Sequence, residues 1–148
     1  ELLQFQTLLQ NQSIVILGAG LVGLEIAEVL AGYGNQVTVV DMLEQAAPQA
    51  PARPRENLLA HLRELHVTLL LGRKVTCIHE DGISCEKDGV TKRLGAFDSV
   101  VVALGSRPNR DFDEEFLKDP RIHLIGDALK AADAKKGIYE ATKLALSL

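Results

Sequence analysis

The sequence predicts an α/β fold: a parallel sheet flanked by helices on both faces, with an antiparallel β-meander as a crossover. Three observations predict it. Residues 13–17, Ser-Ile-Val-Ile-Leu, form a continuous apolar run rich in β-branched residues, the mark of a strand buried on both faces. From Leu21 to Tyr33 the periodicity turns helical, and Gln36–Val40 restores the strand pattern, so strand, helix and strand fit in one short right-handed βαβ unit. Farther on, short segments alternate with the turn signals Glu80-Asp81-Gly82 and Lys87-Asp88-Gly89, which is how a meander reads.

The elements follow in order. Residues 1–12 place Leu2, Phe5, Leu8 and Leu9 at helical spacing and predict a short lead-in helix or linker. After the first strand, Val22, Ile26, Val29, Leu30 and Tyr33 share one helical face, which predicts that this stripe packs inward. Gly32 and Gly34 end the helix. Pro48, Pro51 and Pro54 predict a loop over 42–55, followed by a helix from Glu56 to Leu65 and a strand from His66 to Leu71. The meander spans Lys74–His79, Gly82–Glu86 and Val90–Leu94, and leads into a buried strand, Ser99–Leu104. Beyond an acidic loop (Asp111, Asp113, Glu114, Glu115), Ile122–Ile125 reads as a strand ending in Gly126-Asp127. Residues 134–148 read as a helix packed through Ile138, Thr142, Leu144, Ala145 and Leu148.

Composition narrows the functional classes. The 148 residues are 47% hydrophobic and 24% charged, a globular balance. Sixteen Lys and Arg against twenty Asp and Glu give a net charge of −4, which argues against a nucleic-acid or anionic-membrane surface. No apolar run reaches the ~18–20 residues of a spanning helix, and the N-terminus has no signal-peptide pattern. Cys77 and Cys85 form no CxxC and no ligand cluster with His61, His66, His79 and His123, so a reduced, cytoplasmic setting is expected. All six side chains read as packing or surface residues, and no metal site is expected. The chain starts at Glu1 and its one methionine is Met42, which leads us to expect a piece of something longer.

The chemistry resides in Gly18-Ala19-Gly20-Leu21-Val22-Gly23, a GxGxxG at the strand-to-helix junction. In a Rossmann-like fold, Gly18 makes the tight turn, Gly20 lets the backbone approach a pyrophosphate, and Gly23 lets the helix pack closely. The helix N-terminus offers unpaired N–H groups and positive dipole to phosphates. Asp41 ends the second strand 23 residues after Gly18, where a ribose-binding acid is expected, and Met42 follows it. A 2′-phosphate would face both Asp41 and Glu44, with no Lys or Arg before Arg53. NADH is therefore expected to bind at least roughly tenfold more tightly than NADPH. Ala103, Leu104 and Gly105 close the buried strand beside the first one, at the carboxyl edge where dinucleotides bind.

The segment Ile14-Val-Ile-Leu-Gly-Ala-Gly-Leu-Val-Gly-Leu-Glu-Ile-Ala27 is similar to the NAD(H)-binding domain of the two-dinucleotide-binding flavoprotein reductases. Val101–Asn109 resembles their segment returning to the FAD domain, and His123-Leu-Ile-Gly-Asp127 resembles their FAD-binding Gly-Asp segment. Residues 133–146 look like the C-terminus of 2-enoate and 2,4-dienoyl-CoA reductases, NADH:flavin oxidoreductases built on an old-yellow-enzyme barrel. The resemblance implies an NADH domain over 13–120 that positions nicotinamide for hydride transfer to FAD, and a returning FAD-domain segment over 121–148. It implies Glu25 near the nicotinamide and Asp127 on the FAD ribityl chain. The missing FAD and barrel domains would be the partners, the barrel carrying FMN and an iron–sulfur cluster; a homodimer is compatible with this. No residue here reads as catalytic, and the fragment is expected to bind without turning over. Arg107 reads equally as a phosphate contact or a solvated side chain, and Asp133 as a helix N-cap. Two alternatives stay open, a stand-alone dinucleotide-sensing module and an FAD-binding rather than NAD-binding domain. Against the last, Asp41 is followed by Met-Leu-Glu-Gln-Ala-Ala-Pro without a glycine pair.

Overall fold

A computed structural model describes residues 10–109 and 115–148. The chain divides into two compact units, Glu1–Gly105 and Ser106–Leu148, a boundary earlier than the 120/121 division expected from the sequence. The earlier division follows from the sheet, whose last strand is complete before Gly105.

The first unit runs β1 (Ser13–Leu17), α1 (Leu21–Gly32), β2 (Gln36–Val40), α2 (Ala52–Glu64), β3 (Thr68–Leu70), β4 (Lys74–His79), β5 (Gly82–Lys87), β6 (Val90–Gly95) and β7 (Ser99–Val102). A parallel sheet has the order β3-β2-β1-β7, and β4-β5-β6 form a separate antiparallel sheet. The expected α/β architecture and meander crossover are both present. In this unit the two helices share one face of the sheet, and the meander takes the other.

Alternation along β1 explains why Ile14–Leu17 is apolar without a break. Ile14 and Ile16 join a core with Leu24, Ala27, Leu30, Ala31, Val37, Val39 and Leu62. Val15 and Leu17 face the opposite way, into a second core with Val40 and Ile83 against which Val75, Leu94 and Phe97 pack. Each of these four residues thus has an apolar partner layer, the condition for an unbroken apolar run in a strand.

The inward face of α1 differs from the expected stripe. Its buried residues are Gly23, Leu24, Ala27, Leu30 and Ala31, whereas Val22, Val29 and Tyr33 are exposed. Residue size accounts for this. Gly23, Ala27 and Ala31 are small enough to let the helix axis approach the sheet, and a hydrophobicity-weighted stripe ignores that requirement. At the C-terminal end, buried Asn35 donates from Nδ2 to the Leu30 carbonyl at 2.8 Å and accepts the Gln12 N–H at 3.0 Å. One side chain thereby closes the helix and fixes the entry to β1.

Helix α2 starts at Ala52, earlier than expected, because Pro54 lies in its first turn, where the missing N–H costs nothing. Strands β3 and β7 are shorter than the apolar runs that predicted them. The lead-in helix falls mostly on residues 1–9, outside the described residues, as do Asp111, Asp113 and Glu114.

In the second unit, helix α3 (Ala134–Ala145) begins at Asp133, whose carboxylate accepts the Lys136 N–H at 2.8 Å, the expected N-cap. Its less exposed positions are Gly137, Glu140, Ala141 and Leu144; Ile138, Thr142, Ala145 and Leu148 are exposed, unlike the expected packing set. Residues 122–125 are not a strand. Ile122 and Leu124 are less exposed than His123 and Ile125, so period-two alternation persists, but a strand also requires a paired neighbour and none is present among the described residues. Short 3₁₀ turns occupy Phe116–Lys118 and Gly126–Ala128. Among the described residues no helix is long and apolar enough to cross a membrane.

The corrected face of α1 has a direct test. Ala27→Leu should lower stability by about 1–3 kcal/mol through overpacking, whereas Val22→Ser and Val29→Ser should stay within about 0.5 kcal/mol of the parent. Urea unfolding of the chain measures all three.

Candidate functional site

The carboxyl ends of β1, β2 and β7 meet at the glycine turn. Gly18 has φ +109°, a conformation that L side chains rarely adopt, and a Cβ there would lie 2.4 Å from the Ala103 carbonyl oxygen. Its N–H donates to the Val40 carbonyl at 2.8 Å, and the Ala103 N–H donates to Leu17 at 2.8 Å, so the turn is locked between the ends of β2 and β7. A Cβ on Gly23 would lie 2.0 Å from the Gly18 carbonyl oxygen, so that position admits only hydrogen.

Gly20 is different in kind. Nothing lies within 4 Å of the position a Cβ would take, and its φ of −69° suits any residue. Neither fold strain nor packing demands a glycine there. The open space lies before the first turn of α1, whose N–H groups have no partners within the helix and no side-chain cap. The first turn also lacks acidic residues, so no carboxylate of its own answers the positive end of the helix dipole. These features fit a dinucleotide pyrophosphate: backbone donors, favourable potential and room for the anion to approach. Leu21 and Val22 flank the opening and are exposed, and Glu25 is exposed beyond them.

Asp41 joins the site through the turn itself. Its Oδ2 accepts the Ala19 N–H at 2.6 Å and its Oδ1 accepts the Leu43 N–H at 2.8 Å. Ala19 is buried and its N–H is spent on Asp41, so of the expected cofactor contacts it acts by holding the acid; it offers no N–H to phosphate. A carboxylate oxygen carries more than one acceptor lone pair, so Asp41 retains capacity for sugar hydroxyls. Backbone bonds fix it further, from its own N–H to Leu70 at 3.1 Å and from the Arg73 N–H to its carbonyl at 2.8 Å. Met42 and Leu43 are exposed beside it.

The loop after β2 is anchored in a way the sequence analysis missed. The Ala47 N–H donates to the Ala19 carbonyl at 2.7 Å and the Gly72 N–H to Leu43 at 2.9 Å. Ala46 and Ala47 are buried, and Ala47 has φ +42°, unusual for a residue with a side chain. The available signal was a pair of small apolar residues inside a Pro-rich loop. Glu44 lies farther along the same loop. Its carboxylate lies over Gly72, where a Cβ would meet Oε1 at 2.3 Å, and its Oε1 is 3.8 Å from Lys87 Nζ. The second carboxylate of the expected pair against a 2′-phosphate thus also faces a lysine.

Ala103 is half-buried at the turn, and Leu104 and Gly105 are exposed at the end of the unit. His61, expected to be a packing or surface residue, places Nδ1 2.5 Å from Glu28 Oε1 and so ties α2 to α1. Asp127 and Arg107 belong to the second unit. There Asp127 Oδ1 accepts the Ala132 N–H at 3.2 Å, while Glu140 Oε2 accepts the Gly126 N–H at 2.8 Å and holds the turn. No group of three or more His, Cys, Asp or Glu among the described residues is placed to hold a metal ion.

Known proteins supply a context for this arrangement. A bilirubin reductase from Mediterraneibacter gnavus is 37% identical over 135 residues, covering 89% of this chain and 21% of that protein. An NADH oxidase from Mycoplasma pneumoniae is 30% identical over 156 residues, covering 90% of this chain and 33% of the oxidase. The chain therefore spans between a fifth and a third of the length of these relatives. Histamine dehydrogenase from Rhizobium sp. 4-9 shares the fold with a TM-score of 0.78 at 20% identity, covering 95% of this chain and 24% of that enzyme. The family model described as pyridine nucleotide-disulphide oxidoreductase matches residues 2–141. On that span the chain belongs to the pyridine nucleotide-disulphide oxidoreductase family, whose members use FAD and NAD(H).

Proposed function

We propose that this chain is the NADH-binding part of a flavin-dependent oxidoreductase, and that it positions nicotinamide for hydride transfer to FAD held mainly by other parts of the intact protein. The observation that carries this is the open space at Gly20, before an uncapped helix N-terminus and beside an acid fixed at the end of β2. The hydride chemistry belongs to the cofactors. This chain's residues bind and orient: the N–H groups of Gly20–Gly23 hold the diphosphate and Asp41 holds the adenosine ribose. Met42 borders that sugar, and Ala103–Gly105 line the other side of the turn. Glu25 is assigned to the nicotinamide end. Asp127, an exposed carboxylate in a glycine turn, is assigned to the FAD ribityl chain.

The resemblance to 2-enoate-type reductases in the C-terminal helix is the basis for a finer proposal, that the intact enzyme reduces an organic substrate through a flavin. The match to a bilirubin reductase over 89% of the chain supports it. Neither Cys77 nor Cys85 forms a disulfide.

Calorimetric titration with NADH, NADPH and FAD tests the central claim. NADH should bind most tightly, at least roughly tenfold ahead of NADPH; an empty site at millimolar NADH, or tighter binding of FAD, overturns the assignment. Gly20→Ala separates site from fold, because the backbone tolerates it and the added Cβ meets only open space. Its urea midpoint should match the parent while NADH affinity falls at least about tenfold, since the methyl group occupies the pyrophosphate approach. Asp41→Asn should cut the NADH preference to about threefold or less by removing the charge, whereas Glu44→Gln should leave it within about twofold because that carboxylate is exposed to screening solvent.

A further inference from the structure

The acid at the end of β2 is followed at once by apolar surface. Met42 and Leu43 are 65% and 49% exposed. On the other side of β1, Leu104 is 70% exposed beyond the end of β7, so large apolar side chains flank the glycine turn from both neighbouring strands. Exposed hydrophobes are ordinary when scattered singly, but here they gather at one sheet edge. Leu43 is also held in place. Its N–H donates to Asp41 Oδ1 at 2.8 Å, and its carbonyl accepts the Gly72 N–H at 2.9 Å.

The same bonds engage the main-chain groups that could otherwise read the edge of a base. The Asp41 N–H donates to the Leu70 carbonyl and the Asp41 carbonyl accepts from Arg73, so neither N–H of residues 41 and 43 is free. The Glu44 carboxylate lies against Gly72, and Ala46 and Ala47 are buried. Gln45 is the exposed amide side chain of this stretch, two residues beyond Leu43. Polar recognition beside the acid is thus concentrated in the acid itself.

We propose that the base of the dinucleotide rests on Met42 and Leu43 through apolar contact alone, so that this chain accepts nicotinamide dinucleotides whichever purine they carry. The proposal rests on the assignment of Asp41 to the adenosine ribose and deepens it: polar groups grip phosphate and sugar, and surface area grips the base. A thioether suits this task, because its polarizable sulfur contacts flat aromatic rings favourably. Hypoxanthine keeps the shape and faces of adenine but exchanges the 6-amino donor for a carbonyl acceptor and places a hydrogen on N1. A site that hydrogen-bonds the adenine edge loses roughly tenfold or more on that exchange, since its own groups are left unpaired. An apolar shelf has no such partner to lose.

Calorimetric titration of the whole chain with NADH and with deamino-NADH, its hypoxanthine analogue, tests the proposal. The two should bind within about threefold of each other. Met42→Ala should weaken both at least about threefold by removing apolar area, with their ratio kept within about twofold. Met42→Leu, which retains that area, should bind both as the parent does, and Gln45→Ala should shift neither by more than about twofold. Urea midpoints of all three should match the parent, because these side chains are exposed. Deamino-NADH binding at least about tenfold more weakly than NADH overturns the proposal while the dinucleotide site stands, and so does parental affinity in Met42→Ala. A chain that binds neither compound at millimolar concentration overturns the dinucleotide reading and this proposal with it.

Discussion

The bond from the Ala19 N–H to the Asp41 carboxylate is the constraint on which the candidate site depends. It joins two segments separated by a whole helix and strand, and its acceptor is charged, which makes it about twice as strong as a neutral hydrogen bond. Without it the acid at the end of β2 would be held only by its own loop and by β3, with nothing tying it to the glycine turn. With it, the acid is held at a set distance from the helix opening, the arrangement on which the proposed dinucleotide site rests. Rigidity here is inexpensive because the partners are adjacent strands of one parallel sheet, already paired residue by residue.

The same geometry gives the glycines of the motif different tasks. Gly18 and Gly23 are required by the fold, since a side-chain atom at either would strike backbone. Gly20 answers to no internal demand. A position that spends glycine without structural necessity points to something that must come close from outside. The loop from Asp41 to Ala50 shows a similar economy: its backbone bonds to Ala19 and Gly72 hold it, and its exposed apolar residues, Met42 and Leu43, stay at the rim.

Much of the fold was legible because it follows from local pattern. The apolar run of β1, the glycine spacing and the Asp-Gly turns of the meander each depend on residues within a few positions of one another. What sequence could not show depends on distance or size. The buried face of α1 follows helix-to-sheet spacing, so Ala27 lies inside while Val29 lies outside. The strand expected at Ile122–Ile125 has the right alternation, but pairing is a property of two segments and cannot be read from one. Within the site, the positions of the glycines and of Asp41 were legible, whereas the diversion of Glu44 to Lys87 joins residues far apart in the chain. That the Ala19 N–H is engaged by Asp41 was likewise hidden, because a spent donor looks the same in sequence as a free one.

Strand order has a kinetic corollary. β1 meets β2 after a single helix, but its other neighbour, β7, arrives only after the whole meander has been made: Ile14 pairs with Val37 on one side and Ser99 on the other. Closing the longer loop carries the larger entropic penalty and is deferred. The half of the sheet bearing the acid therefore assembles early, and the edge that completes the glycine turn docks last. During synthesis from the N-terminus, the glycine turn stays open on one side until the ribosome has delivered nearly all of this unit.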